Sequence, residues 1–130
     1  MKTPSELKYA KTDEWISVEG DQATIGITDY AQDQLSDVVY VEFMVEEDDV
    51  VSKDENLATV ESVKAASDVS FPASGTVIAV NEDLTDAPEL LNSDPYKAGW
   101  MVKIKLADPS ELDDLMSADE YIAYNQEREG

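Results

Sequence analysis

Two short extended runs, residues 56–63 and 65–71, meet at a single lysine, Lys64. Runs this short hide their apolar faces by pairing as strands, so the segment predicts a β-hairpin with Lys64 at its tip. No other Lys or Arg lies between Lys53 and Lys97. A tight turn throws its tip residue away from the body and fixes its base. That suits an amine that must be reached by a modifying enzyme. The bland alternative is an ordinary solvated lysine. Against it stand Val63 and Ala65, uncharged neighbours in a chain that places acids almost everywhere.

The flanking sequence extends the β pattern. Residues 15–19 and 22–27 alternate around Gly20-Asp21 and predict a second hairpin. Thr28 is a candidate cap for a short helix over 29–35. Residues 38–43 predict a strand with Val39, Val41 and Phe43 on one face and Val38, Tyr40 and Glu42 on the other. The acidic run 46–49 predicts a turn, 50–51 an extended piece, 72–75 a turn and 76–80 a strand. Residues 81–95 read as irregular. Residues 100–106 alternate again. Ser110 with Asp113, and Ser117 with Glu120, predict capping boxes of C-terminal helices, with a frayed tail over 126–130. Gly26, Gly75 and Gly99 are expected to serve backbone conformation, and Trp15 and Trp100 packing. The pattern is an all-β barrel or sandwich with helical ends, and the length suits one domain, 1–130.

Charge narrows the partners. Thirty Asp and Glu face nine Lys and Arg, a formal net charge of -21. Such a body is repelled by phosphate backbones and anionic bilayers, so neither nucleic acid nor membrane is expected as a partner. The excess acidity fits a high-salt cytoplasm, where screening is short-ranged; full stability after refolding in low salt would count against that. With no Cys there is no disulfide framework or thiolate metal site. With no His, the commonest general base and zinc ligand are missing. No apolar leader opens the chain, so a soluble cytoplasmic protein is expected. Residues 81–86 faintly suggest a calcium loop but lack Gly at its sixth position and Glu at its twelfth; a solvated loop is expected instead.

Glu61-Ser62-Val63-Lys64-Ala65 with Ser67-Asp68 resembles the lipoyl-attachment segment of the glycine cleavage system H-protein family. The likeness covers nearly the whole chain. Lys8-Tyr9, Glu14-Trp15, Gly26-Ile27-Thr28 and Asp37-Val38-Val39-Tyr40-Val41 precede it in the family's order. Ser74-Gly75, Pro88-Glu89-Leu90, Pro95-Tyr96 and Gly99-Trp100-Met101 follow it. Four departures stand out. Asp13 replaces a usual His, Ser36 a Gly, and Met44 with the acidic run a Pro-and-Gly turn. Lys97 stands where Gly or an acid is common.

The resemblance implies a barrel-sandwich hybrid with a short internal helix and a helical C-terminus. It implies a non-catalytic carrier with lipoate amide-linked to Lys64, and Glu61, Val63 and Ala65 forming the attachment segment. The carrier would shuttle glycine's aminomethyl group from a pyridoxal-phosphate glycine decarboxylase to a tetrahydrofolate-dependent aminomethyltransferase. A dihydrolipoamide dehydrogenase would reoxidise it, and a lipoate ligase or transferase would install the arm. Glu14 and Asp68 match positions expected to shelter the cationic end of the arm. Rival readings are an H-like relay donating lipoate to other proteins, an unmodified acidic binding module, and an enzyme using paired carboxylates such as a glycosidase. A biotin carrier fits less well, because Lys64 does not lie between methionines.

Overall fold

The computed structural model describes residues 2–129. Nine strands form two sheets. They are β1 (Lys8–Tyr9), β2 (Glu14–Glu19), β3 (Gln22–Ile27), β4 (Val38–Phe43), β5 (Val50–Val51), β6 (Asn56–Ser62), β7 (Ala66–Ser70), β8 (Gly75–Val80) and β9 (Val102–Leu106). One sheet has the order β1-β2-β3-β9-β8-β5 and the other β4-β6-β7. Ile25, Leu57, Val60, Phe71 and Ile104 are among the residues that fill the space between them. This is the expected barrel-sandwich hybrid.

Four helices accompany the sheets: α1 (Asp29–Leu35), α2 (Asp83–Asp86), α3 (Leu90–Ser93) and α4 (Ala118–Glu129). Thr28 caps α1 as expected, its hydroxyl accepting from the Ala31 amide at 3.1 Å. Ser117 and Glu120 exchange the two bonds of a capping box at the start of α4.

Several expectations are corrected. The stretch 81–95 is not simply irregular, since it holds α2 and α3. Asn81 is buried, not solvated, and its amide nitrogen donates to the Ala98 and Trp100 carbonyls. A bulge between Val38 and Tyr40 breaks the period of β4. Val38 and Val41 therefore both point inward while Val39 is exposed. Ser110 opens no capping box: Asp108 caps a 3-10 helix, Pro109–Asp114, by accepting from the Ser110 amide. The helix α4 runs through residues 126–129, where a frayed tail was expected; Gly130 lies outside the described residues. Gly26, Gly75 and Gly99 adopt no left-handed backbone; close approach explains them instead. A Cβ on Gly26 would lie 2.7 Å from the Trp15 indole, and one on Gly75 2.2 Å from the Lys105 carbonyl oxygen.

The departures Ser36 and Asp48 keep a glycine-like backbone. Ser36 has φ 66° and Asp48 φ 78°. Side chains are tolerated there at a conformational cost of about 1 kcal/mol.

Candidate functional site: a lysine hairpin and a buried carboxyl

Strands β6 and β7 pair antiparallel, Thr59 with Asp68, Val60 with Ser67 and Glu61 with Ala66. They converge on a turn that closes on itself. Ser62 donates its amide to the Ala65 carbonyl at 2.7 Å. Its hydroxyl oxygen accepts from the Ala65 and Lys64 amides at 3.0 and 3.3 Å. The Val63 amide donates to the Asp37 carbonyl, tying the turn to the start of β4. Val63, Lys64 and Ala65 are all exposed. Lys64 forms no ion pair among the described residues. Ser62, read from the sequence only as part of the attachment segment, is the residue that closes the turn, and a serine two residues before the lysine is the signal for it.

Strand β7 is an edge strand. The bond from Ser62 to Ala65 makes that pair a hydrogen-bonded one, and alternation does the rest. The Ser67 and Val69 amides face β6, whereas those of Ala66, Asp68 and Ser70 face away from it. An open backbone edge thus runs back from the hairpin for about 13 Å, four residues of strand rise. Asp68 is exposed on this strand and accepts from the Thr59 hydroxyl at 3.0 Å.

Glu14 closes the far end of that edge. One of its carboxyl oxygens accepts from the Ser70 amide at 3.3 Å and the other from the Thr12 hydroxyl. Its side chain is buried, with 2% of the residue exposed. Burial pushes the carboxyl up to about 8; the bonds from Thr12 and Ser70 oppose the rise, and the Asp13 charge adds to it. Burial thus favours the neutral form of the Glu14 carboxyl. Trp15, the next residue, rests on Gly26 across the β2–β3 ladder and donates its indole N–H to the Pro95 carbonyl.

The structure brings Glu61, Val63, Lys64, Ala65 and Asp68 together on one hairpin and sets Glu14 at that hairpin's outer strand. Thr12 and Ser70 complete the site. Neither carries a sequence signal, because each acts through contact with Glu14. A cleft of about 970 Å³ between β4 and α2, lined by Glu42, Phe43, Val80, Glu82 and Asp86 among others, includes none of the hairpin residues. Among the described residues no helix is long and apolar enough to cross a membrane.

A barrel-sandwich domain that holds one amine out on a rigid turn defines a class, the lysine-presenting carrier domains. Comparison with known proteins specifies it further. The family model for glycine cleavage H-protein matches residues 7–128. A glycine cleavage system H protein of Staphylococcus carnosus is 54% identical over 121 residues, covering 93% of this chain and 95% of that one. One from Halothermothrix orenii is 52% identical over 129 residues, covering 99% and 100%. The crystal structure of a glycine cleavage system H protein from Mycobacterium marinum superposes with a TM-score of 0.86 at 34% identity, covering 95% of this chain and 98% of that one. The chain belongs to the glycine cleavage H-protein family, the lipoyl carriers of the glycine cleavage system.

Proposed function

We propose that residues 1–130 act as one lipoyl-carrier domain and that Lys64 bears lipoate as an amide on its side-chain nitrogen. The observation that carries this reading is the exposed Lys64 on its Ser62-closed turn, free of ionic partners among the described residues. Glu61, Val63 and Ala65 present the lysine to a lipoate ligase or transferase. The bound group supplies a strained dithiolane that opens readily to take up and hand on the aminomethyl group of glycine.

The chain's own residues present and shelter that group. The hairpin fixes the base of the arm, and a tether raises the effective concentration of its end at each partner. The open edge of β7 offers amide donors along the way back to Glu14. A neutral carboxyl there becomes ionised when an ammonium approaches, because the pair is favoured over either buried charge alone. Asp68 adds a second carboxylate along the same strand. Arm docking at Glu14 thus releases a proton and strengthens as pH rises through the range in which Glu14 titrates.

As a component of the glycine cleavage system the carrier works with the system's other members. In this reading they are the pyridoxal-phosphate glycine decarboxylase, the tetrahydrofolate-dependent aminomethyltransferase and dihydrolipoamide dehydrogenase, all in the cytoplasm. Intact mass of protein from its native source is the test. One lipoyl-sized increment, absent in Lys64→Ala, is expected. A protein of unmodified mass from cells competent in lipoylation would overturn the reading.

A further inference from the structure

The loop that delivers Glu14 is fastened from the opposite end of the chain. Asp13 sits in left-handed backbone, φ 75°, where a non-glycine residue needs support. Its amide donates to the Ala10 carbonyl at 3.0 Å, and its own carbonyl accepts from the Thr28 amide at 3.0 Å. Its carboxylate is gripped by α4. The Tyr121 hydroxyl donates to it at 2.8 Å, and both terminal nitrogens of Arg128 donate to its two oxygens.

Arg128 is itself confined. It donates to the Asn125 side chain and stacks its guanidinium over the rings of Tyr30 and Tyr124, 4.1 and 4.6 Å from their centroids. Tyr121 stacks on Tyr9 at 4.8 Å and bonds the Thr28 hydroxyl, so the clamp reaches β1 and the cap of α1. One side chain in the last turn of α4 therefore holds the residue next to Glu14 through a planar, bidentate, charge-assisted contact.

We propose that Arg128 is a positioning residue for Glu14: by clamping Asp13 it holds the 10–14 loop so that the Glu14 carboxyl stays seated on the Ser70 amide at the end of the arm's track. The role of that carboxyl as the arm's dock rests on the function proposed above; the positioning of Glu14 does not. The C-terminal helix is then part of the shelter, although it lies outside the hairpin that bears the lysine.

Amide hydrogen exchange at Ser70 in the full-length, unlipoylated protein reads this directly. The amide faces away from β6, and Glu14 is its acceptor. Glu14→Ala sets the rate for an amide without that acceptor. Arg128→Ala is expected to move Ser70 toward it by about tenfold, the loss of roughly one charge-assisted contact. The Ser67 and Val69 amides, paired to β6, stay unchanged. Arg128→Lys keeps a cation without the fork and restores part of the protection, and it serves as the milder variant if Arg128→Ala folds poorly. A folded Arg128→Ala protein whose α4 amides exchange faster while Ser70 keeps wild-type protection overturns the proposal. Release of formaldehyde from cargo-loaded protein is the second readout. Faster release alongside a loosened Ser70 supports both positioning and shelter. A loosened Ser70 with wild-type release supports positioning and overturns shelter by Glu14.

Discussion

The Lys64 turn and the Glu14 loop do their work by opposite designs. The turn is local. Ser62 closes it within four residues, and the bond from Val63 to Asp37 ties it to the neighbouring strand. The Glu14 loop is assembled from afar, with Ser70, Thr28, Tyr121 and Arg128 all converging on residues 13 and 14. In the proposed function, the part that partner enzymes grasp is fixed at its base and free above it. The part proposed to meet the cationic arm end is buried, and its position depends on distant packing.

Substitutions can break or sharpen this contrast. Lys64→Arg keeps the charge and the turn but removes the acylable amine. Complete loss of the lipoyl mass increment with an unchanged unfolding midpoint is expected. Glu14→Gln comes next. The Glu14 carboxyl is raised to about 8 in the folded protein, so the folded state holds a proton the unfolded chain has lost. That contribution to stability is present below the unfolded carboxylate range and fades as pH rises through about 8. Glu14→Gln should flatten the profile, and its advantage over the parent between about pH 4 and about pH 9 should grow by a few kcal/mol in urea titrations. A parallel profile would mean that Glu14 is not held neutral.

Gly26→Ala drives a methyl against the Trp15 indole beside Glu14. It should cost about 1–3 kcal/mol and leave lipoylation of Lys64 intact. Ser62→Ala removes the acceptor inside the turn. It should cost no more than about 1 kcal/mol of global stability, yet slow modification by the lipoate ligase or transferase, which single-turnover acylation would measure. Ser36→Gly relieves the positive-φ backbone just before Asp37 and should gain about 1 kcal/mol, with the bond from Val63 to Asp37 kept.

The same contrast governs what sequence alone makes legible. The hairpin can be read directly, because two alternating runs and one lysine lie within fifteen or so consecutive residues. The caps at Thr28 and at Ser117 with Glu120 are short-range and equally visible. Glu14's burial is not, because it is fixed by Ser70, 56 residues away. The two faces of β4 are misread because a bulge shifts the strand's period, and no residue between 38 and 40 announces it. The residues 126–129 look like a frayed end until Asp13 gives Arg128 something to hold. Family membership is legible because it rests on ordered blocks along the whole chain.

The open margin of β7 has a consequence beyond the proposed arm docking. A bare strand border is where two copies of a protein can zip together and begin to aggregate. This one carries Asp68, and the chain around it bears a net charge of -21. Repulsion between like bodies opposes self-pairing of that border, and the same charge would attract the tethered cation of the proposed function. In the proposed function, acidity that aids solubility and acidity that serves the arm are one property, and neutralising the surface for convenience in handling would put both at risk.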